Sequence, residues 1–184
     1  MNSGQGSYGE LAEFKAEVLN DFVAKNHVES VIEFGSGDGN QLKLARYPKY
    51  TGFDVSRTAI QQCRNLFAAD GTKEFRLVDD YTGESADVAM SLDVIYHLVE
   101  DDVFDSYMQR LFDAAKRFVV IYSSNYDAPP TARAEHVRHR RFTDWIDAHR
   151  PDWRLLAHIP NRFPYDAGNG SGSEADFFFF ELCH

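Results

Sequence analysis

Three glycines at alternate positions, preceded by an acid, form the pattern in this sequence that is best suited to ligand chemistry. Glu33, Gly35, Gly37 and Gly39 follow one another in this way at the end of the apolar segment 31–34. Glycine has no Cβ, so the backbone can turn sharply there and approach a bound molecule closely. A short apolar run followed by such a turn is typical of the first strand of a nucleotide-binding sheet.

The spacing of these residues argues against a dinucleotide ligand. The fingerprint G-x-G-x-x-G needs a third glycine at position 40, where the chain has Asn40. A pyrophosphate gains little from the Glu33 carboxylate, whereas a ligand with an ammonium and a sulfonium gains a charge-assisted hydrogen bond. A second predicted strand, residues 50–54, ends in Asp54, which lies about 20 residues beyond the glycines, where such sheets bind a ribose diol. The pattern favours a positively charged nucleoside.

Segment 31–56 resembles motifs I and II of the class I S-adenosylmethionine (SAM) dependent methyltransferases, and a weaker likeness extends over residues 28–124. The resemblance implies an α/β fold with a doubly wound, mostly parallel seven-stranded sheet. Its implied strand order is 3-2-1-4-5-7-6, with the last strand antiparallel and helices on both faces. It also implies SAM as cofactor and S-adenosylhomocysteine (SAH) as product.

The resemblance gives roles to the residues at the strand ends. The glycines lie against the methionine part of SAM and Glu33 holds its ammonium group, although Glu33 would also suit a capped turn. Asp54 accepts from both ribose hydroxyls, and Val55 packs on the adenine. One acid of the pair Asp79 and Asp80, with Asp80 favoured, binds the adenine amino group. The implied cofactor residues are Glu33, Gly35, Ser36, Gly37, Gly39, Asn40, Asp54, Val55, Asp79, Asp80, Leu92 and Asp93.

The acceptor side contains a histidine and a basic segment. Methyl transfer is an in-line displacement, so the enzyme aligns a nucleophile with the sulfonium carbon and keeps it deprotonated. His97 follows the predicted strand 88–92 and is expected to be the base, with a structural histidine as the alternative. The basic segment 133–141 is either a solvated face or a site for an anionic acceptor. The proposed acceptor residues are Tyr96, His97, His136, Arg138, His139 and Arg140.

Hydrophobic periodicity predicts strands alternating with helices, and therefore parallel pairing. The strands are expected at residues 31–34, 50–54, 75–78, 88–92, 118–122, 153–159 and 177–182. Helices are expected within residues 1–27, from Leu42 onward, from Ser56 to Phe67, from the acids at 100–102 to Ala115, and at 143–149.

The resemblance also implies that Asp93, together with Leu92, closes the sulfonium side of the cofactor site; the alternative is that Asp93 only caps a turn. The polar connection 125–141 is expected to form a substrate-side lid.

The first and last predicted elements carry additional signals. Ser7 and Glu10 have the spacing of a capping box. The apolar stripe that follows indicates a helix packed on the sheet edge or, alternatively, a flap over the cofactor; it consists of Leu11, Phe14, Val18 and Phe22. Four consecutive phenylalanines at 177–180 must face both ways, which predicts an interior, antiparallel strand between strands five and six.

Composition sets limits on the class of protein. The chain has 184 residues and a net charge of −10, which predicts one domain over residues 1–184 and makes nucleic acid an unlikely partner. No apolar run approaches the roughly 20 residues of a membrane helix, and the first residues do not resemble a signal peptide, so a cytoplasmic location is expected. Cys63 and Cys183 have no metal-ligand spacing and are expected to be buried thiols. We expect no metal, and a monomer or homodimer.

Taken together, the sequence predicts a SAM-dependent methyltransferase that acts on a small molecule, with an anionic acceptor as one option. The alternatives are a methyltransferase acting on a macromolecule and a SAM-binding module without catalysis. The Asn-Pro-Pro-Tyr type motif of base-amine methylases is absent, because residues 91–94 read Ser-Leu-Asp-Val. Asn40 and Glu33 count against an NAD oxidoreductase.

Overall fold

The computed structural model describes residues 8–128 and 136–183, which form a seven-stranded sheet with four α-helices. The strands are β1 (Val31–Phe34), β2 (Tyr50–Asp54), β3 (Lys73–Leu77), β4 (Ala86–Leu92), β5 (Ala115–Ser123), β6 (Trp153–Ile159) and β7 (Asp176–Leu182). The helices are α1 (Gly9–Lys25), α2 (Arg57–Leu66), α3 (Asp101–Asp113) and α4 (Phe142–His149).

The strand order is β3-β2-β1-β4-β5-β7-β6, as the resemblance implied. The first five strands pair in parallel, and β7 pairs antiparallel with both β5 and β6. The order reverses between β1 and β4, so their carboxyl ends diverge into a crevice where ligands bind in sheets of this kind. The prediction of fold class is confirmed.

The four consecutive phenylalanines of β7 divide between two hydrophobic cores. Phe177 and Phe179 belong to the core shared with α1 and α2. Phe178 and Phe180 belong to the core on the opposite face, shared with α3 and α4. Successive side chains of a strand point to opposite faces, so an apolar run of this length requires helices on both sides.

Helix α1 lies across the face of the sheet, and the prediction that it packs on the sheet edge is wrong. Phe14 contacts Phe177 with ring centroids 5.8 Å apart, and Phe22 contacts Phe179 at 4.6 Å. The helix therefore covers strands β5 and β7, because β7 is interior and offers two aromatic rings to that face. The buried face is also offset from the predicted stripe, since its buried residues are Ala12, Phe14, Lys15, Ala16, Leu19 and Val23.

The start of α1 differs from the predicted capping box. Tyr8 occupies the N-cap position without a side-chain cap, and Ser7 lies outside the described residues. Tyr8 instead donates a 3.0 Å hydrogen bond to Asp38 in the glycine turn, and Gln41 donates to the carbonyl of Ala12 at 3.0 Å. These contacts attach the helix to the glycine turn, and the alternative of a flap over the cofactor stays a prediction.

The helix expected from Leu42 onward is absent, and the connection between β3 and β4 is also short. The segment after the glycines forms a single 3-10 turn, Gln41–Leu44, instead of a helix. Few residues separate it from β2, and Pro48 cannot continue a helix. β3 and β4 are joined by the 3-10 turn Val78–Asp80 and a short loop, in which Tyr81 packs against Phe34 and Phe53 where a helix would otherwise lie.

Smaller differences concern the element ends and one cysteine. Ala115 opens β5 and does not close α3, and Val78 opens a turn and does not end β3. Cys63 is buried, but Cys183 is exposed because it follows the end of β7, which corrects the prediction of two buried thiols. Among the described residues, no helix has the length and apolar character needed to cross a membrane.

Candidate active site at the switch point

The glycine turn after β1 has a backbone that only glycine adopts readily. Gly35, Gly37 and Gly39 have φ values of 95°, 57° and 78°, in the left-handed region that costs other residues energy. A Cβ on Gly35 would lie only 2.3 Å from Cγ2 of Val94. The amides of Gly35 and Ser36 both donate to the carbonyl of Phe53, which joins the turn to β2.

Asp54, at the end of β2, fixes the glycine turn from the other side. Its Oδ2 accepts from the amide of Gly37 at 2.9 Å, and its Oδ1 accepts from the amide of Ser56 at 2.8 Å. A carboxylate oxygen has two lone pairs, so each oxygen can accept one further hydrogen bond. The carboxylate is therefore held in one orientation and keeps the capacity to bind a pair of hydroxyls.

Glu33 is a buried acid beneath the glycine turn. Its Oε2 accepts from the hydroxyl of Tyr50 at 2.7 Å. Burial raises the pKa of Glu33 to about 7, while the hydrogen bond from Tyr50 and the charge of Lys15 act in the opposite direction. The carboxylate can thus change its protonation state near neutral pH.

Lys15 of α1 reaches the end of β4 and pairs with Asp93. Its side chain is 1% exposed, and its Nζ lies 2.8 Å from Oδ2 of Asp93. The other oxygen of Asp93 accepts from the hydroxyl of Tyr96 at 2.9 Å. Asp93 has φ 58°, a conformation that aspartate tolerates better than most residues. These contacts fix the turn Ile95–His97 that follows β4.

A cleft of about 570 Å³ opens beside these groups, between the carboxyl ends of the strands and α3. Of the residues predicted from sequence for the cofactor or acceptor, the cleft brings together Gly35, Asp54, Val55, Asp93 and His97. Its apolar part is formed by residues that the sequence did not indicate, among them Val78, Val94, Leu98 and Val103.

Other predicted residues lie outside this cleft. Asp79 and Asp80 are exposed in the turn after β3, and Leu92 is buried in the core under α1. Asn40 begins the 3-10 turn, and its amide donates to Asp38 at 3.0 Å. The roles of these four residues in cofactor binding remain predictions.

His97 lines the cleft in an orientation set by the backbone. Its Nδ1 lies 3.2 Å from the carbonyl oxygen of His136. A carbonyl oxygen only accepts, so in the neutral ring Nδ1 carries the proton and Nε2 is the acceptor. The arrangement leaves Nε2 able to take a proton.

Arg138 and Arg140 form hydrogen bonds and ion pairs with the turn before α3. Arg138 donates to the carbonyl of Val99 at 2.9 Å and pairs with Asp101 at 2.8 Å. Arg140 donates to the carbonyls of Leu98 and Val99 and pairs with Asp101 at 3.1 Å. The two guanidinium groups lower the pKa of Asp101. Their charge stabilises this turn.

His139 belongs to a separate cluster next to Tyr96. Its Nδ1 lies 2.6 Å from Oγ of Ser124 and its Nε2 lies 3.5 Å from Glu174, while Tyr126 stacks on its ring at 4.7 Å. Tyr126 also donates to Glu174 at 2.9 Å, and burial raises the pKa of Tyr126 to about 12. The cluster joins the end of β5, residues 136–141 and the β6–β7 loop.

Lys15 and Tyr50 are site residues that the sequence did not indicate. A lysine within an apolar helical stripe was the available signal for Lys15, since it follows Phe14 on the face that packs on the sheet. Tyr50 gave no signal, because a tyrosine at the start of a strand is ordinary core. Among the described residues, no three metal-ligating side chains converge. Residues 129–135 of the predicted lid, including Arg133, lie outside the described residues.

A family model described as a methyltransferase domain matches residues 8–164. The chain therefore belongs to this methyltransferase domain family. The resemblance to the class I SAM-dependent methyltransferases is confirmed, as are the predictions of a methyltransferase enzyme and of SAM as its cofactor. No curated protein matches the chain at a significant level.

Solved structures show the same fold at low sequence identity. The chain is similar to N-methyltransferase NodS from Bradyrhizobium japonicum WM9 in complex with SAH, with 16% identity, a TM-score of 0.73, and coverage of 95% of this chain and 88% of that one. It is also similar to magnesium protoporphyrin IX methyltransferase from Synechocystis PCC 6803 with bound SAH, with 13% identity, a TM-score of 0.67, and coverage of 92% and 83%. The methyltransferase domain of bacterial CtHen1-C gives 17% identity, a TM-score of 0.68, and coverage of 92% and 97%.

Proposed function

We propose that this chain binds SAM at the carboxyl ends of β1, β2 and β4 and transfers its methyl group to a small-molecule acceptor. The observation that carries the proposal is the position of Asp54. Its carboxylate is held between the amides of Gly37 and Ser56 at the edge of the cleft. An acid fixed in this way beside a glycine turn suits a ribose diol.

The residues at the strand ends fit the other parts of SAM. The left-handed glycines present a backbone without Cβ atoms, and Oγ of Ser36 is buried there with no hydrogen-bond partner among the described residues. Glu33 offers a buried carboxylate for the ammonium group, and the exposed Val55 offers an apolar surface for the adenine. When bound, SAM supplies an electrophilic methyl group on a sulfonium.

We assign to His97 the role of base. Its Nδ1 is committed to the carbonyl of His136, so Nε2 is free to accept a proton from an acceptor nucleophile. Tyr96 is held by Asp93 and lies next to His97, with ring centroids 4.6 Å apart. We propose that these two side chains form the acceptor side of the site, with His139 adjacent.

The acceptor is proposed to be small because the protein is acidic, which disfavours a polyanionic partner such as a nucleic acid. The structure gives no support to an anionic acceptor held by Arg138 and Arg140, since both are paired with Asp101 and with backbone carbonyls. We propose instead that residues 136–140 cover the acceptor side and keep the turn after β4 in place.

Two experiments test the proposal. Isothermal titration calorimetry should show binding of SAM and SAH, and no binding of NAD. A screen of small-molecule acceptors with methyl-labelled SAM, following the release of SAH, should then reveal transfer. Binding of NAD without SAM would contradict the cofactor assignment. Binding of SAM without transfer to any small molecule, but with transfer to a protein or nucleic acid, would overturn the assignment of the acceptor class.

A further inference from the structure

Three carboxylates and one buried cation surround the crevice between β1, β2 and β4. Glu33, Asp54 and Asp93 stand at the ends of these three strands, and Lys15 reaches them from α1. They are close enough to act on one another. The pKa of Glu33 is lowered by the charge of Lys15 and raised by the charges of Asp54 and Asp93. A change of one charge in this group therefore changes the electrostatic potential in the crevice.

Lys15 is not available to bind a ligand directly. Its side chain is 1% exposed, its Nζ contacts Asp93 at 2.8 Å, and it lies over the ring of Tyr122 at 5.2 Å. Asp93 is different, because it is 22% exposed and lines the cleft together with Gly35. Lys15 therefore acts on the cleft through its charge and through Asp93.

SAM and SAH differ at the sulfur in both the methyl group and one positive charge. The ratio of their dissociation constants therefore responds to the potential at the sulfur, whereas a general loss of structure weakens both ligands together. We propose that Lys15, by neutralising Asp93, limits the preference of this site for SAM over SAH. The inference rests on the proposed use of SAM.

The direction of the effect follows from the charges. Asp93 attracts the sulfonium, and Lys15 partly cancels that attraction. Lys15 thus keeps SAM from binding so tightly that its ground state is stabilised, which would lower the rate of transfer. A buried unit charge about 5–10 Å away changes the ratio of the two affinities by about tenfold or more at an effective dielectric of about 20.

The test compares five proteins, the native protein and four variants, for their affinities for SAM and SAH by calorimetry at pH 8, above the pKa of about 7 of Glu33. Lys15→Met removes the cation and should favour SAM over SAH by about tenfold or more relative to the native protein. Asp93→Asn removes the anion and should shift the ratio in the opposite direction. Lys25→Met removes a lysine from the same helix whose side chain is 76% exposed, so the ratio should stay unchanged.

The double variant Lys15→Met with Asp93→Asn removes both charges and should return the ratio close to the native value, even if both affinities fall. This variant also contains no unpaired charge, so it keeps the test usable if Lys15→Met alone does not fold. Equal changes in both affinities for every variant would overturn the inference and leave the proposed function intact. Failure of the native protein to bind either ligand would instead contradict the proposed function.

Discussion

The hydroxyl of Tyr50 donates a 2.7 Å hydrogen bond to the carboxylate of Glu33 inside the core below the glycine turn. The bond satisfies one oxygen of an acid that is otherwise separated from water, and burial still raises the pKa of this acid to about 7. A charged side chain that destabilises the fold is expected at a ligand site when the ligand needs that charge. The loss of folding stability caused by the charge of Glu33 can be measured.

Glu33→Gln should raise stability at pH 8 and weaken SAM binding. Between about pH 4.5 and pH 7 the folded protein holds the proton of Glu33 and the unfolded chain has lost it. The free energy of unfolding therefore falls as the pH rises through this window, by up to about 3 kcal/mol. A glutamine at this position has no charge to bury, so it avoids this loss of stability, and its amide oxygen can still accept the hydrogen bond from Tyr50. Denaturant unfolding of both proteins at pH 5 and pH 8 should show a difference that is larger at pH 8.

Glu84 is a control in which the charge of the carboxylate should stabilise the folded protein, the opposite of the effect expected for Glu33. Its pKa is lowered to about 2, first by hydrogen bonds from backbone amides and then by Arg76. Glu84→Gln should therefore reduce stability at pH 8. If Glu33→Gln is as destabilising as Glu84→Gln at that pH, the charge of Glu33 is not costly in the folded protein.

Gly35→Ala should prevent binding of SAH and reduce stability by about 2 kcal/mol or more, from left-handed backbone strain and overpacking against Val94. Thermal unfolding and calorimetry measure the two effects. Gly71→Ala is the matched control, because a Cβ at Gly71 meets nothing within 4 Å and its φ is not in the left-handed region. Normal SAH binding by Gly35→Ala would remove the glycine turn from the cofactor site.

Asp54→Ala should weaken both SAM and SAH by at least about 100-fold, because hydrogen bonds to a charged acceptor contribute about 1.5–3 kcal/mol each. The same change leaves the amides of Gly37 and Ser56 without their acceptor. Asp54→Asn keeps one of the two oxygens and is expected to give an intermediate affinity. Calorimetry of the three proteins should therefore show a graded series, and equal affinities would place the ribose elsewhere.

His97→Gln should leave the affinity for SAM unchanged and lower kcat by about 100-fold or more, because the proton acceptor is lost. His149 is a matched control, since its Nδ1 also contacts a carbonyl, that of Trp145, at 2.9 Å. A change in KM alone would make His97 a residue that only positions the acceptor.

Arg140→Met should lower the melting temperature and leave the affinity for SAM nearly unchanged. The side chain is 12% exposed and donates to two carbonyls of the turn before α3, so its loss leaves the carbonyl of Leu98 without this donor and that of Val99 with Arg138 alone. Arg154→Met, which removes a pair whose arginine is 67% exposed, should have little effect on stability. If Arg140→Met instead raises the acceptor KM without affecting stability, the arginine binds the acceptor.

The sequence predicted those parts of the site that depend on local backbone or side-chain pattern. Glycines with positive φ leave a signature in sequence, and so does an acid at a strand end, as with Gly35 and Asp54. The alternation of Phe177 to Phe180 between two cores likewise requires an interior strand, whatever the rest of the chain does. These features are set by the residues themselves.

The parts that were missed depend on partners far away in the chain. Lys15 pairs with Asp93, 78 residues later, and a single sequence does not show that a lysine on an apolar stripe has such a partner. Arg138 and Arg140 formed a basic run in the sequence, but backbone carbonyls accept from them and carry no sequence signal. The predicted helix after Leu42 is absent because the segment between the glycine turn and Pro48 is long enough for one turn only.

The interior position of β7 has a consequence for how the chain is made. β6 precedes β7 in the chain but pairs with the sheet only through it. During synthesis at about 5–20 residues per second, β6 therefore stays unpaired until β7 has also left the ribosome. Until then the outer edge of β5 and one side of both cores stay open. Completion of the sheet is expected to be a late and aggregation-sensitive step of folding.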